Sequence, residues 1–461
     1  MLFNIWKYGV LWIGFALIFI VPPFHTPDEY NHFYKAYAIA DGQMTPVVDY
    51  QNWDLGGYIP RSLVTVVEPF KRGIFDINYK FSYDTIWHYC QVPLNQDDVV
   101  LYPFSNTARY APTAYLPQVF AIFIARVFDC PPLVMTYLGR IFTFLFWYVI
   151  LLYAIRRAPV FKEGMMILSA LPASVSINSS LNADIVSNAF FFLGLSAFLK
   201  MRLSNEIEKK DLGLFSGTIL LITLNKIAYF PLVLLLLFVP KEKFGLRFSK
   251  IKVFTVNLVL NLLIVFSWTK LVHRWIYPTD DINVTTYTTL RPGFNVNPDL
   301  QMRHVLDNFF PVAYTLVDKS IATYDFVWRL YLTSFGWEYA MIPKFLQGLL
   351  LVSILAYFFF HRPIFSKKER FLLFLLAHSL TTLFLFSMYL HWDPVGGEMT
   401  FIYGGKYYIP IYPLVFLALS AWLYSYRPAF YAKSGTKWAF LSLYALVYLA
   451  FFQVVITRYY F

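Results

Sequence analysis

Apolar stretches of transmembrane length recur along this chain, at residues 8–21, 133–155, 182–199, 253–275, 345–360, 371–390, 408–423 and 438–455. No other feature restricts the fold as much. In hydrocarbon every backbone N–H and C=O must find its partner inside the protein, so segments of this kind must be helices. Shorter apolar stretches at 112–128, 165–177, 213–224 and 229–239 cross a layer of ~30 Å only if packed among other helices or partly inserted. Taken together they predict an all-α polytopic membrane protein of about eleven or twelve transmembrane helices. Composition agrees: 58% of the 461 residues are hydrophobic and only 14% are charged, a balance that excludes a soluble domain of this size.

The charges give an orientation. Lys and Arg gather in five short connections, around Arg156, Arg157 and Lys162; Lys200, Arg202, Lys209 and Lys210; Lys241 to Lys252; Arg362 to Arg370; and Arg427 to Lys437. The positive-inside rule assigns these to the cytoplasm, with a retained, uncleaved first helix whose N-terminus is also cytoplasmic. The simplest organisation is one membrane domain over 1–461, with extracytoplasmic loop insertions at about 22–112, 277–342 and 391–406. The formal charge of +11 then reflects topology and anionic lipid, which argues against a nucleic-acid partner. One conflict remains in this accounting. If 112–128 and 133–155 both cross, Arg156 and Arg157 fall outside; the proline-bearing 112–128 segment is therefore expected to be re-entrant or surface-lying, the alternative being a genuine violation of the charge rule. Cys90 and Cys130 are the only thiols that could pair.

Chemically distinctive residues lie on the outer side of this topology. After the first helix, Thr26, Pro27 and Glu29 suit the N-cap, first and third positions of a new helix, a capping box that gives Glu29 a structural task. Asp28 is not explained in that way. Helical spacing sets it on one face with His32 and Lys35, where it could deprotonate an acceptor hydroxyl or merely complement the helix dipole. His25, Asp28, Glu29 and His32 also allow a divalent-metal reading, although their order matches no standard ligand spacing. Asp184 ends the polar island Ser176 to Asp184 between two apolar segments, a position that fits a functional acid or an ordinary helix start. Lys226 and Lys406 are rare outer cations, suited to phosphate or to snorkelling at the interface. Trp53, Trp87, Trp328, Trp337 and Trp392 fall in outer loops, where they could stack on sugar rings or form an interfacial belt. Asn283-Val284-Thr285 reads as a glycosylation sequon.

Four motifs in this order resemble a bacterial family of polytopic membrane proteins of unknown function, itself similar to the GT-C class of lipid-sugar-dependent glycosyltransferases. They are Thr26-Pro27-Asp28-Glu29-Tyr30-Asn31-His32, Tyr110-Ala111-Pro112-Thr113-Ala114-Tyr115-Leu116-Pro117, Leu171-Pro172 through Asp184, and Gly405-Lys406-Tyr407-Tyr408-Ile409-Pro410. The resemblance implies a GT-C-like fold in a bacterial plasma membrane. It also implies an inverting transferase with a polyprenyl-phosphate-linked sugar donor, a glycan or lipid-linked acceptor and an extracytoplasmic active site. In that reading Asp28 is the base, Lys406 with Lys226 neutralises the departing lipid phosphate, Asp184 and His32 orient the substrates, and Glu29 and Tyr407 complete the substrate contacts. No cofactor is implied beyond an optional divalent metal, and the family more often has Arg at the position of Lys406. The competing class is a transporter or flippase for a lipid-linked glycan, followed by a non-catalytic scaffold for envelope assembly.

Overall fold

A computed structural model describes residues 1–49, 54–245, 249–276, 296–335, 340–400, 405–420, 422–424 and 434–461, with side chains at 54, 276, 325–335, 340, 405 and 434–436 excluded. Trp53, Trp337, the Trp328 side chain, Gly404 and the Asn283 sequon lie outside what is described. α1 (Leu2–Ile20) stops where Pro22 and Pro23 cannot continue it, and α2 (Glu29–Ala40) starts after a short turn. A small antiparallel sheet follows, in the order β1 (Val47–Asp49), β2 (Asp54–Pro60), β3 (Val99–Pro103), with α3 (Arg61–Phe75) and α4 (Tyr83–Tyr89) inserted between β2 and β3. Then come α5 (Ser105–Ala108), a 3₁₀ turn at Pro112–Tyr115, α6 (Leu116–Val127) and α7 (Pro132–Arg157). The chain continues through α8 (Lys162–Ser169), α9 (Pro172–Asn178), α10 (Asp184–Leu203), α11 (Lys209–Asn225), a 3₁₀ segment at Ile227–Phe238 and α12 (Lys250–Ile276). The last described part holds α13 (Pro298–Asp307), α14 (Phe309–Thr333), the paired two-residue strands β4 (Ser334–Phe335) and β5 (Ala340–Met341), α15 (Lys344–Phe359), α16 (Lys367–Trp392), a 3₁₀ turn at Gly405–Tyr408, α17 (Tyr412–Leu419) and α18 (Ser434–Tyr460).

The chain is thus an all-α polytopic membrane protein. Among the described residues six helices are long and apolar enough to cross a membrane: α1, α7, α10, α12, α16 and α18. That is fewer than the hydropathy stretches suggest, and proline explains much of the difference. The 165–177 stretch is broken into α8 and α9 at Pro172, the 229–239 stretch is wound as 3₁₀ around Pro231, and the 408–423 stretch yields an eight-residue α17 that follows Pro410. α10 is the most enclosed of the long helices, sheathed by α7 and α11.

α1 and α7 run antiparallel. Tyr148 donates its hydroxyl proton to the Lys7 carbonyl at 2.8 Å, Arg156 lies against the Phe3 ring, and Phe19 stacks on Tyr137 at the opposite end. Gly14 offers no side chain to Phe144, which lets the two helices approach closely. Arg156 and Arg157 therefore sit at the end of the bundle where α1 begins. α6, at twelve residues, is only ~18 Å long. It lies beside α2 and runs in the same direction: His32 meets Tyr115 at one end, while at the other Arg126 binds the Tyr37 hydroxyl, the Ala40 carbonyl and the Asp41 carboxylate. Gln96 in turn donates to Asp129. The 112–128 segment thus begins and ends beside α2 and the residues that follow it. Cys90 and Cys130 are free thiols.

Candidate functional site

The site is built outward from the turn between α1 and α2. α1 ends with unpaired carbonyls, and Arg140 of α7 satisfies them: Nη1 donates to Ile18 O and Val21 O at 2.9 Å, and Nη2 to Pro22 O at 3.0 Å. Its remaining donors grip the Glu29 carboxylate side-on, Nε to Oε1 and Nη2 to Oε2, both at 2.7 Å. Every N–H of the guanidinium is thereby used, as a fully buried arginine requires. Glu29 Oε1 also accepts the Leu181 N–H at 3.0 Å, which fastens the loop leading to Asp184. The expected capping box does not form as such. Asp28, not Thr26, is the residue at the head of α2, and Glu29 is drawn into the protein, keeping only a 3.5 Å contact with the Thr26 N–H.

Asp28 adopts a left-handed backbone (φ 64°, ψ 7°), unusual for a residue other than glycine and tolerated best by Asp and Asn. That turn aims its carboxylate away from Glu29. Oδ1 accepts from Asn106 Nδ2 at 2.8 Å and Oδ2 from Lys406 Nζ at 3.2 Å, a pair separated by 378 residues in sequence. The second acid is matched in the same way. Asp184, in the first turn of α10 with its N–H held by Asn182 Oδ1 at 2.8 Å, is ion-paired with Lys226 at the end of α11. Tyr407 joins the pairs. The Lys226 ammonium lies 3.7 Å from the centre of its ring and that of Lys406 5.4 Å, while the Tyr407 carbonyl accepts from the Tyr229 hydroxyl at 2.9 Å.

Electrostatics distinguishes the two lysines. Burial pulls Lys226 down to about 8 despite the opposing pull of Asp184, whereas for Lys406 the same burial is outweighed by Asp28 and Asp184, which raise it above its ordinary value. His32 is held well below its usual range by burial and by the two nearby ammonium groups, so it is a neutral imidazole, with Nδ1 2.9 Å from the Tyr115 hydroxyl. Next to Lys226, Asn225 Oδ1 accepts from Thr113 at 2.7 Å, leaving its buried Nδ2 without a protein partner. Among the described residues no three His, Cys, Asp or Glu side chains are placed to share a metal ion.

Of the residues singled out from sequence, Asp28, His32, Asp184, Lys226, Lys406 and Tyr407 converge. Glu29 does not: it is fully buried and engaged by Arg140 and Leu181. Lys35 points elsewhere on the same helix, buried, with burial lowering it to about 8. Trp87 is exposed and takes no part. Sequence reasoning missed Asn106, Tyr115 and above all Arg140, although an arginine within a long apolar segment is itself a signal.

A family model described as "Predicted membrane protein (DUF2142)" matches residues 11–415, a span that includes every residue of the two acid–lysine pairs. No curated protein and no solved structure matches the chain.

Proposed function

The chain belongs to this DUF2142 family of predicted membrane proteins, and for this member we propose an inverting glycosyltransferase that moves a sugar from a polyprenyl-phosphate donor to an envelope glycan or other extracytoplasmic acceptor. The observation that carries the reading is the pairing of two largely enclosed lysines with two acids around one tyrosine. In the resting protein each cation is stored against a carboxylate. An arriving donor phosphate competes for both ammonium groups, and each exchange releases an acid. Asp28, freed from Lys406 and still oriented by Asn106, accepts the proton of the acceptor hydroxyl. The acceptor oxygen bonds to the anomeric carbon while the bond from that carbon to the phosphate oxygen breaks on the opposite side. The pair of electrons leaves on the lipid phosphate, whose new charge is neutralised by Lys406 and Lys226 in surroundings from which water is largely excluded. Asn225 Nδ2 supplies a neutral donor beside them. Neutral His32 serves to position substrate hydroxyls.

Membranes containing the parent or Asp28→Asn, supplied with a radiolabelled polyprenyl-phosphate sugar, test this directly. Transfer is expected to fall by about 10²–10⁴-fold with protein level and elution profile unchanged, because Asn preserves the volume and removes the base. Envelope glycans from cells with and without the gene, compared by mass spectrometry, should differ by one glycosyl residue. Retention of activity within a few-fold of the parent by Asp28→Asn removes Asp28 as the base. Altered distribution of lipid-linked glycan with no change in bonding assigns the protein to transport instead.

A further inference from the structure

At the opposite end of α1 from Asp28, about 28 Å of helix away, lies a cavity of about 570 Å³ that the transferase reading does not use. Four elements meet there. Met1, Leu2 and Phe3 come from the start of α1, Ile155 and Arg156 from the end of α7, Lys162, Glu163 and Met166 from the first turns of α8, and Lys437 from the start of α18. Three of these are cations and one is an acid, and the acid is engaged, its Oε2 accepting the Tyr357 hydroxyl at 3.1 Å. The cavity also faces the N-terminus of α8, where the cap residue is Phe161, whose side chain makes no capping bond. An uncapped helix start carries partial positive charge and directs N–H groups outward. The frame is fixed: Tyr444 and Tyr448 of α18 donate to Ile167 O and Ala170 O at 3.0 and 2.7 Å, holding Lys437 beside α8.

From this arrangement we propose that the cavity binds the phosphate of an anionic phospholipid in the leaflet at the N-terminal end of α1. The shared chemistry is a phosphate ester. The apolar residues that line the same cavity decide for a lipid over a free phosphate, because Leu2, Phe3 and Ile155 lie at the ends of the membrane-crossing helices α1 and α7, where glycerol and the first acyl carbons lodge, and Met166 of α8 adds to the same apolar wall. Arg156 is already held over the Phe3 ring, 5.6 Å from its centre. The site is separate from the donor phosphate site in place and composition, since it contains no acid–lysine exchange pair.

The test uses the full chain, purified in detergent and delipidated, with thermal unfolding followed on titration of phosphatidylglycerol, phosphatidylcholine and free glycerol 3-phosphate. Phosphatidylglycerol should raise the midpoint saturably and the other two should not. Arg156→Gln/Lys162→Gln/Lys437→Gln should raise the half-saturating concentration by about 100-fold, the combined effect of three interfacial charges. Arg156→Lys should stay within about threefold. If the triple variant does not elute as a folded species, native mass spectrometry of phosphatidylglycerol retained by the three single variants replaces it, each expected to lose occupancy. An equal response to phosphatidylcholine, unchanged affinity or retention in the variants, or saturation by free glycerol 3-phosphate overturns the proposal. Asp28→Asn, which disables the proposed chemistry, should leave the lipid response intact, so the two readings fail separately.

Discussion

Replacing Arg140 with Met provides the sharpest test of how the site is held. The guanidinium makes two bonds to Glu29 and three to the carbonyls that end α1, all inside the protein. Met fills similar volume but strands the Glu29 charge, with the Leu181 N–H as its main remaining donor, and leaves Ile18 O and Val21 O unpaired while Pro22 O keeps only the His25 N–H. Breaking a buried ion pair by removing one partner costs about 3–5 kcal/mol. With an unfolding entropy of about 2 cal/mol/K per residue over this chain length, the midpoint should drop by about 3–5 °C, measured by tryptophan fluorescence in detergent. Glu29→Gln alone should cost nearly as much, because it strands the arginine. The double variant should be less destabilised than the sum of the two by about 2–3 kcal/mol, since both stranded charges are then gone. A midpoint for Arg140→Met within 1 °C of the parent, or strict additivity in the double variant, would refute the assignment of this pair as the anchor of the α1–α2 turn.

Lys406→Ala should reduce use of the lipid-phosphate donor by about tenfold or more while Lys406→Arg retains most of it, measured as donor KM and turnover; equal, near-parental values for both would remove Lys406 from the phosphate site. Lys226, brought by burial to about 8, is charged below that pH and neutral above it, so transfer should decline as pH rises through about 8. Lys226→Arg, which stays charged, should move that limb upward; superimposable pH profiles contradict the role. In intact cells carrying Cys90→Ser, a membrane-impermeant thiol reagent should label Cys130, because α6 returns to the 22–110 insertion and both thiols are partly accessible. Labelling confined to inside-out vesicles would mean that 112–128 crosses after all.

Much of the fold was legible because its cause is written locally. A long apolar run in lipid has helix as its one solution, and α7, α10, α12, α16 and α18 lie where hydropathy sets them. The prolines that shorten α8, α9 and α17 are also visible in sequence, but what they do depends on packing: Pro69 sits inside α3 without ending it, while Pro172 opens a new helix. The charged residues of the site were legible for a related reason. In so apolar a chain an isolated Asp or Lys at a helix end is costly to keep, so Asp28, Asp184, Lys226 and Lys406 stood out singly.

Which charge meets which was decided only in three dimensions. Neighbouring Asp28 and Glu29 look alike in the sequence, and local rules gave Glu29 a capping task worth about 0.5–2 kcal/mol. Arg140 arrives from α7, more than a hundred residues on, and with both side chains buried, separating them costs about 3–5 kcal/mol, more than that cap is worth. Glu29 is drawn inward, the backbone at Asp28 is left-handed, and the Asp28 carboxylate meets Lys406. Sequence determined that these charges exist and that each needs a partner. Tertiary structure chose the partners, because a Coulomb interaction depends on distance, and distances between residues hundreds of positions apart are set by how the helices pack.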